Sequence, residues 1–429
     1  MARVYIETYG CALNHGDTSI MKTAMLKRGH TIVDSIEDAD VVIINTCTVR
    51  METEQRMIHR IKTLYRYCMD SGKKLVVAGC MAKAQPYLVA SIAPSASLVS
   101  PQNASRIHVA VESRERVVLL LGDRDRNVLG SHLEKHIAYI PIQDGCLGNC
   151  SFCIVKNARR KLVSYPIELI IDTVEKVVRK GAVEIAITGQ DTAVYGLDLY
   201  GRQMLPRLVR AIVEQVKGVY RIRIGMMNPD TMSSILDELV DVLNSFDKVY
   251  RFLHIPVQSG SNHVLKIMRR RYTVDEYRAI VKELKRRVRD IAIATDIIVG
   301  HPGESEEDFL ETIKLVKELE FDRIHIARYT VRPNTYSASL PQIPSRVVKD
   351  RLKRIIEVME DTCLKKNRRY LDKILDAFIT EYNNGSYTGR LDNYTPVIIP
   401  SDKALEIGCY KRVLIREATF YDLRGIVVD

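Results

Sequence analysis

Apolar and polar positions follow three successive patterns along the chain, and the first alternates short apolar strands with helical segments. Strands are predicted at 3–8, 30–34, 40–45, 74–79 and 97–100, and helices at about 15–28 and 51–70. The run from Asp40 to Asn45 is almost continuously apolar, which is typical of a strand buried on both faces of a parallel sheet. We therefore predict an α/β domain with a flavodoxin-like, doubly wound sheet.

The second pattern repeats a strand and a helix. Strands are predicted at 136–143, 183–188, 220–225, 250–255, 291–298 and 322–328, and helices at 167–180, 203–217, 230–244, 261–288 and 305–319. Six repeats with short connections predict a partial parallel barrel, (β/α)6, because a full barrel needs eight. Such a barrel keeps a lateral opening for a large substrate. Its active site is expected at the carboxyl ends of the strands.

The third pattern follows a long charged helix predicted at 345–372 and consists of short strands separated by turns. Five such strands within the last part of the chain predict a small β-barrel of the OB type. The resulting domain boundaries are 1–115 for the first domain, 116–132 for a linker, 133–370 for the partial barrel and 371–429 for the small barrel.

Composition and charge narrow the class of protein. The chain is 46% hydrophobic and 27% charged, as in globular proteins, and no apolar run approaches the roughly 20 residues of a membrane span. We expect a cytoplasmic protein with no membrane partner. The net charge of +11 suits a polyanionic partner such as nucleic acid, although a merely basic surface would give the same total. Nine cysteines are too few for a disulfide scaffold in a chain of 429 residues and favour metal chemistry.

Three cysteines follow the first predicted barrel strand in a C-x3-C-x2-C spacing: Cys146, Cys150 and Cys153. Three thiolates can hold three irons of a [4Fe–4S] cluster, which leaves the fourth iron open to another ligand. The alternatives are a structural zinc site or three plain thiols. Zinc is disfavoured because such sites need four ligands, and no fourth ligand lies nearby in the sequence.

Three further cysteines, Cys11, Cys47 and Cys80, each lie just past the carboxyl end of a predicted strand of the first domain. Ligand sites form outside those ends in doubly wound sheets, so the three thiols should converge. Gly10 and Gly79 would let the backbone approach closely. This pattern predicts a second cluster site with three protein ligands, against the alternative of three unrelated buried cysteines. Cys68, Cys363 and Cys409 are interpreted as structural.

Polar groups at the other barrel strand ends indicate a small-molecule pocket, although each segment alone could be a turn or a helix cap. They lie at 188–191, 225–228, 256–261, 295–296 and 300–304. His254 and His325 are expected to be core or pocket lining rather than metal ligands.

The small barrel carries aromatic and cationic residues suited to stacking on bases and pairing with phosphates. They are Tyr387, Tyr394, Tyr410, Tyr421, Arg390, Lys411, Arg412 and Arg416. The alternative is an ordinary module with its tyrosines in the core.

The motifs at 9–14, 45–47, 78–80, 145–153, 188–190, 258–261 and 295–300 together resemble those of radical S-adenosylmethionine (SAM) methylthiotransferases, over essentially the whole chain. The resemblance implies a C-terminal TRAM domain and two [4Fe–4S] clusters. The cluster on Cys146, Cys150 and Cys153 would bind SAM and generate a 5′-deoxyadenosyl radical. The cluster on Cys11, Cys47 and Cys80 would carry the sulfur that becomes a methylthio group. A second SAM would supply the methyl. The implied SAM contacts are Phe152, Thr188, Gly189, Gln190, Gln258, Asp296 and Ile298.

Members of this family act on threonylcarbamoyl- or isopentenyl-adenosine beside the tRNA anticodon, or on a ribosomal-protein aspartate. Residues 158–166 resemble the A-R-G-x-L-x-S-Y-P stretch of threonylcarbamoyladenosine enzymes of archaeal and eukaryotic type, with Arg160 in place of Gly, and residues 226–229 also resemble that subgroup. The resemblance therefore favours this nucleoside, with Arg159, Arg160 and Lys161 as RNA contacts. It also implies an electron donor such as a flavodoxin or ferredoxin. The other two substrates, and a tRNA-binding iron–sulfur protein without radical chemistry, remain open.

Overall fold

The computed structural model describes residues 1–401 and 403–428. Its first domain is a six-stranded parallel sheet in the order β2-β1-β3-β4-β5-β6, which confirms the flavodoxin-like prediction. The strands are β1 Arg3–Thr8, β2 Thr31–Ile32, β3 Val41–Thr46, β4 Lys74–Gly79, β5 Ser97–Val99 and β6 Val118–Leu119. The helices are α1 Ala12–Lys27, α2 Met51–Asp70, α3 Cys80–Ala84, α4 Pro86–Ile92 and α5 Ile107–Glu112.

The central strand β3 is buried at every position, and its side chains contribute to two separate hydrophobic cores. Val41 and Ile43 pack on one face of the sheet, and Val42 and Ile44 pack on the other. This two-sided burial explains the continuous apolar run, because neither face of the strand meets water. Strand β6, in contrast, lies inside the segment 116–132 expected as a linker. It pairs with β5 through Leu98 and Val118, so part of that segment belongs to the sheet.

The second domain carries six parallel strands, as predicted. They are β7 Ile137–Pro141, β10 Glu184–Thr188, β11 Arg221–Ile224, β12 Phe252–His254, β13 Ala292–Val299 and β14 Arg323–Arg328. They form two three-stranded sheets that a single parallel bridge between Ile222 and Val249 joins into one arc. A short antiparallel pair, β8 Gln143–Asp144 and β9 Val163–Ser164, flanks the cysteine loop.

Helices connect the strands of this arc, and the last of them also contacts the third domain. They are α6 Val155–Ala158, α7 Ile167–Arg179, α8 Leu197–Tyr200, α9 Leu205–Gln215, α10 Pro229–Met232, α11 Leu236–Ser245, α12 Asn262–Ile267, α13 Val274–Arg287, α14 Glu306–Leu319 and α15 Ser345–Arg368. The single helix predicted at 261–288 is wrong, because the chain breaks between α12 and α13. Thr273 caps α13 by accepting a hydrogen bond from the backbone N of Glu276, and the Glu276 carboxylate accepts one from the Thr273 backbone N. None of the helices among the described residues is long and apolar enough to cross a lipid bilayer.

The third domain is a closed five-stranded barrel in the order β15-β16-β17-β19-β18, as predicted. Its strands are β15 Ile374–Asn383, β16 Ser386–Arg390, β17 Pro396–Pro400, β18 Tyr410–Ala418 and β19 Leu423–Val427.

A loop of the third domain, residues 392–394, packs against the amino ends of the partial-barrel strands. Arg221 Nη1 donates to Asp392 Oδ1 (2.8 Å), and the Tyr394 hydroxyl donates to Glu184 Oε1 (2.8 Å). The Tyr394 ring lies 4.8 Å from that of Tyr250 between centroids. The small barrel is therefore fixed to the end of the partial barrel opposite the cysteine loop.

Candidate functional site

All six cysteines of the two predicted sets line one cavity of about 460 Å³ between the first domain and the partial barrel. Cys11, Cys47 and Cys80 approach it from the first domain, at the ends of β1, β3 and β4. Cys146, Cys150 and Cys153 approach it from the loop after β7 and β8. The two carboxyl-end edges thus face each other across a single chamber.

Asn14 connects the three loops that carry the first-domain cysteines. Its Nδ2 donates to the carbonyls of Tyr9 (2.8 Å) and Thr46 (3.0 Å), and Cys80 Sγ lies 3.7 Å from its Oδ1. Side chains at the two adjoining glycines would not fit. A Cβ on Gly10, whose φ is +109°, would lie 2.6 Å from Cys47 Cβ, and a Cβ on Gly79 would lie 2.3 Å from Asn45 Oδ1. Both glycines are therefore required by close backbone approach.

Gly148 lies beside two sulfurs of the 146–153 loop. A Cβ on Gly148 would lie 3.2 Å from Cys146 Sγ and 3.7 Å from Cys150 Sγ, so a glycine keeps the space beside these sulfurs free. Gln190 holds the start of the loop, because its Oε1 accepts a hydrogen bond from the Gly145 backbone N at 2.7 Å.

Both cysteine sets fit a metal cluster with three protein ligands. Burial raises the pKa of Cys80 and of Cys146 to about 12 and that of Cys153 to about 11, and it also raises the pKa of Cys47. Within each set the sulfurs are close enough that one thiolate disfavours ionisation of the others. Buried, mutually repelling thiols become thiolates when iron replaces their protons.

The residues implied as SAM contacts surround the same chamber. Thr188, Gly189, Gln190, Phe152, Gln258 and Asp296 line it, and Ile298 lines an adjoining cavity of about 640 Å³. Gln258 has a φ of +72° and pairs with β13, donating from its N to the Asp296 carbonyl (2.8 Å) and accepting from the Ile298 N (2.9 Å). These three residues therefore form one wall.

His254 and His325 line these cavities, in line with the expectation of pocket lining. His254 Nε2 lies 3.0 Å from Asp296 Oδ1. Burial lowers the pKa of His325 to about 4, which keeps this ring neutral at neutral pH.

The expectation that Arg159 contacts RNA is wrong, because this side chain is only 1% exposed. Its Nη1 donates to Asp144 Oδ1 (2.5 Å), its Nη2 pairs with Asp17, and its Nε lies 3.3 Å from Cys80 Sγ. Arg160 and Lys161 are exposed, as an RNA contact requires. Arg160 has no positive φ, so replacing the glycine of the motif causes no backbone strain.

The expectation for Arg390 is also wrong. Its guanidinium lies over the Tyr394 ring (4.4 Å to the centroid) in the contact between the two barrels, and Tyr387 belongs to the core of the small barrel. These side chains stabilise packing instead of facing a nucleic acid. The predicted residues that remain accessible are Lys411, Arg412, Arg416, Tyr410 and Tyr421.

The sequence did not indicate Arg270, which contacts the set formed by Cys146, Cys150 and Cys153. Its Nη1 lies 3.2 Å from Cys150 Sγ, and its Nη2 donates to Asn228 Oδ1 (3.0 Å). The run of arginines at 269–271 resembles a solvated helix face in the sequence. The Thr-x-x-Glu capping signal at 273–276 is the local indication that the helix is interrupted here.

Comparison with known families divides the chain as the structure does. The Radical SAM superfamily matches residues 140–316, the family described as Uncharacterized protein family UPF0004 matches residues 3–100, and the TRAM domain matches residues 368–428. Among solved structures, the radical S-adenosylmethionine methyltransferase TsrM from Kitasatospora setae has a TM-score of 0.58 at 13% identity. That match covers 78% of this chain and 75% of that one and supports the shared fold.

Relatives similar over the full length are found in archaea and animals. The probable threonylcarbamoyladenosine tRNA methylthiotransferases of Methanocaldococcus jannaschii and Archaeoglobus fulgidus are 38% and 40% identical to this chain. Both matches cover 99% of this chain, with 97% and 98% of the relatives. The Homo sapiens threonylcarbamoyladenosine tRNA methylthiotransferase is 34% identical over 99% of this chain and 73% of its own length.

The partial barrel with its three-cysteine loop defines a radical SAM protein, here combined with a second cysteine-bearing domain and a TRAM domain. The chain belongs to the family of threonylcarbamoyladenosine tRNA methylthiotransferases. Membership of these families implies SAM and two [4Fe–4S] clusters as cofactors.

Proposed function

We propose that this chain converts N6-threonylcarbamoyladenosine beside the anticodon of tRNA into its 2-methylthio derivative, replacing the C2 hydrogen with a methylthio group. The observation that carries the proposal is the single chamber lined by two sets of three cysteines. When bound, the clusters and SAM supply the radical and the sulfur. The relatives' names favour this nucleoside over isopentenyladenosine and over a ribosomal-protein aspartate.

Side chains of this protein position the reactants. Cys146, Cys150 and Cys153 would hold one cluster, and Cys11, Cys47 and Cys80 the other. SAM would be held by Thr188, Gly189 and Gln190 at the carboxyl end of β10, by Phe152 of the cysteine loop, by Gln258 after β12, and by Asp296 and Ile298 of β13. A shared chamber keeps the hydrogen that is removed and the sulfur that replaces it within one enclosed volume, which favours reaction by proximity.

The nucleotide would enter through the adjoining cavity, which lies between the first domain and the last strand of the partial barrel. Val49 and Arg50 line its first-domain side, and Arg328 lines its barrel side. Arg160 and Lys161 would contact RNA near the chamber, and Lys411, Arg412 and Arg416 would contact it from the small barrel. A flavodoxin or ferredoxin would donate electrons. A cytoplasmic location remains a prediction.

Anaerobic reconstitution and nucleoside analysis test this function. The reconstituted chain should bind about eight irons, release 5′-deoxyadenosine and methylthiolate threonylcarbamoyladenosine-containing tRNA. Cys146→Ala should abolish the product while keeping the second cluster, and Cys68→Ala serves as a control outside both sets. Methylthiolation by Cys146→Ala, or unchanged 2-methylthio-threonylcarbamoyladenosine in tRNA from a deletion strain, would contradict the proposal.

A further inference from the structure

Two arginines each reach a cysteine of a different set. Arg159 Nε lies 3.3 Å from Cys80 Sγ, and Arg270 Nη1 lies 3.2 Å from Cys150 Sγ, with both N–H groups aimed at the sulfur. Guanidinium groups are always charged and are rigid donors. Each cysteine set therefore has a fixed cation beside one of its sulfurs.

Arg159 has no freedom to move away from Cys80. Its Nη1 and Nη2 groups are occupied by Asp144, Asp17 and Asn14, the last at 3.1 Å. Its Nε is the group directed at the sulfur. Asp17 is shared with a second buried arginine, Arg124, whose Nη2 lies 2.5 Å from Asp17 Oδ1.

Arg124 makes no contact with a cysteine among the described residues. Its remaining donors go to the hydroxyl of Tyr165 (2.6 Å) and the carbonyl of Pro101 (2.7 Å). Arg124 thus belongs to the same ion-pair network as Arg159 but lacks the sulfur contact, and it is a matched control for it.

Arg270 is held differently, because its other partners among the described residues are neutral. They are Asn228, the hydroxyl of Tyr272 (3.0 Å) and the carbonyl of Pro256 (3.4 Å). No ion pair joins Arg270 to a carboxylate among the described residues, whereas its neighbour Arg271 pairs with Asp230. Cys150, at 3.2 Å, is the contacting partner of Arg270 that becomes anionic when it binds iron.

One-electron reduction adds one negative charge to a cluster and its thiolates. Hydrogen bonds to cysteine sulfurs and nearby positive charge stabilise that reduced form, and burial strengthens the effect. We propose that Arg159 and Arg270 are positioning residues that raise the reduction potentials of the two clusters separately. Arg159 acts on the cluster of Cys11, Cys47 and Cys80, and Arg270 acts on that of Cys146, Cys150 and Cys153. The inference rests on the cluster assignment of the proposed function.

Full-length chains that retain one cysteine set isolate each cluster. In the chain with Cys146→Ala, Cys150→Ala and Cys153→Ala, Arg159→Lys keeps the charge but removes the fixed Nε–H group directed at Cys80. We expect the ratio of reduced to oxidised cluster at a fixed potential to fall about tenfold, equivalent to about 59 mV for a one-electron couple. Arg124→Lys should leave this ratio unchanged. Equal shifts for the two variants would overturn the inference, because they would reflect the shared ion-pair network alone.

The reciprocal measurement uses the chain with Cys11→Ala, Cys47→Ala and Cys80→Ala. There Arg270→Met should lower the potential of the remaining cluster, whereas Arg271→Met should not, because Arg271 is exposed and pairs with Asp230. Arg159→Lys should leave this cluster unchanged as well. A potential that does not respond to Arg270→Met would overturn the assignment of that arginine.

A measurement without arginine variants covers the case in which a variant fails to fold. Pulsed electron paramagnetic resonance of the reduced single-cluster chains, with 15N-labelled arginine, should detect nitrogen coupling in each; absence of coupling would overturn the inference. Iron content distinguishes a failure of the proposed function from a failure of this inference. A chain with one intact set that binds no cluster contradicts the proposed function, whereas a bound cluster with unmoved potentials contradicts only this inference.

Discussion

His301 is a buried side chain that packs against the cysteine loop. It is fully buried, its Nδ1 donates to the Pro302 carbonyl (3.0 Å), and its Nε2 lies 2.8 Å from the Ser337 hydroxyl. Its ring packs on Phe152 with centroids 6.1 Å apart. Burial lowers the pKa of His301 from 6.5 to about 4, so the ring stays neutral in the folded chain.

This lowered pKa predicts a loss of stability in acid. Between pH 6.5 and about 4 the unfolded chain binds a proton at His301 that the folded chain does not, so the free energy of unfolding falls as the pH falls. We expect this free energy to fall by about 2 kcal/mol between pH 7.5 and pH 5. Urea unfolding at both pH values should show that His301→Asn removes this part of the dependence. The exposed control His59→Asn should retain it, and equal dependence in the His301 variant and the parent would contradict the prediction.

At the scale of residues, the sequence identified side chains through their position relative to strands. Cys11, Cys47 and Cys80 could be grouped because each follows a strand, and the carboxyl ends of neighbouring parallel strands meet at one edge. Arg159 and Arg390 could not be assigned correctly, because the direction of a long side chain depends on partners from distant parts of the chain. Asp17 and Asp144 are those partners for Arg159.

At the scale of elements, the interruption between α12 and α13 is the main departure from prediction. The amphipathic pattern runs through 261–288 without a proline or glycine, so periodicity predicts one helix. The chain instead turns through Arg269, which has a φ of +58°. The turn directs Arg270 toward Cys150, a contact that a continuous helix would not provide.

The Thr273 cap is expected to stabilise this turn. Thr273→Ala should reduce the free energy of unfolding by about 1 kcal/mol, because it leaves the Glu276 backbone N–H without its acceptor. Thr273→Ser should be close to the parent, since serine keeps the hydroxyl. Urea unfolding of the three chains compares them directly, and a Thr273→Ala chain as stable as the parent would show that other contacts fix the start of α13.

At the scale of the whole molecule, the order and class of the three domains were predictable, because each domain has its own pattern of apolar and polar positions along the chain. Their mutual arrangement was not, since it depends on a few contacts between residues far apart in sequence. Lys135, Glu184 and Arg221 contact the small barrel, and nothing in their local sequence indicates this.

The exposed basic residues of β18 predict a salt-dependent contribution to tRNA binding. A chain with both Arg412→Gln and Arg416→Gln should bind tRNA more weakly. The slope of log Kd against log salt concentration should flatten by about 0.7–0.9 for each phosphate that no longer pairs with the protein. Arg346→Gln with Lys349→Gln, on the exposed face of α15, removes the same charge elsewhere. Equal weakening by both pairs would indicate an effect of net charge alone, and filter binding across a salt series distinguishes these outcomes.

The loop at 392–394 closes the amino end of the partial barrel, opposite the cysteine loop. Tyr394 contacts Glu184, and Arg223, which lines the chamber, lies 5.5 Å from the Tyr394 ring centroid. Removing the small barrel would expose Glu184 and Arg221, buried at the amino ends of two strands, and would open the interior of the partial barrel to water from that end. Exchange of this domain between relatives is therefore constrained by enclosure as well as by RNA affinity: a replacement must reproduce the loop before it can contribute a new RNA surface.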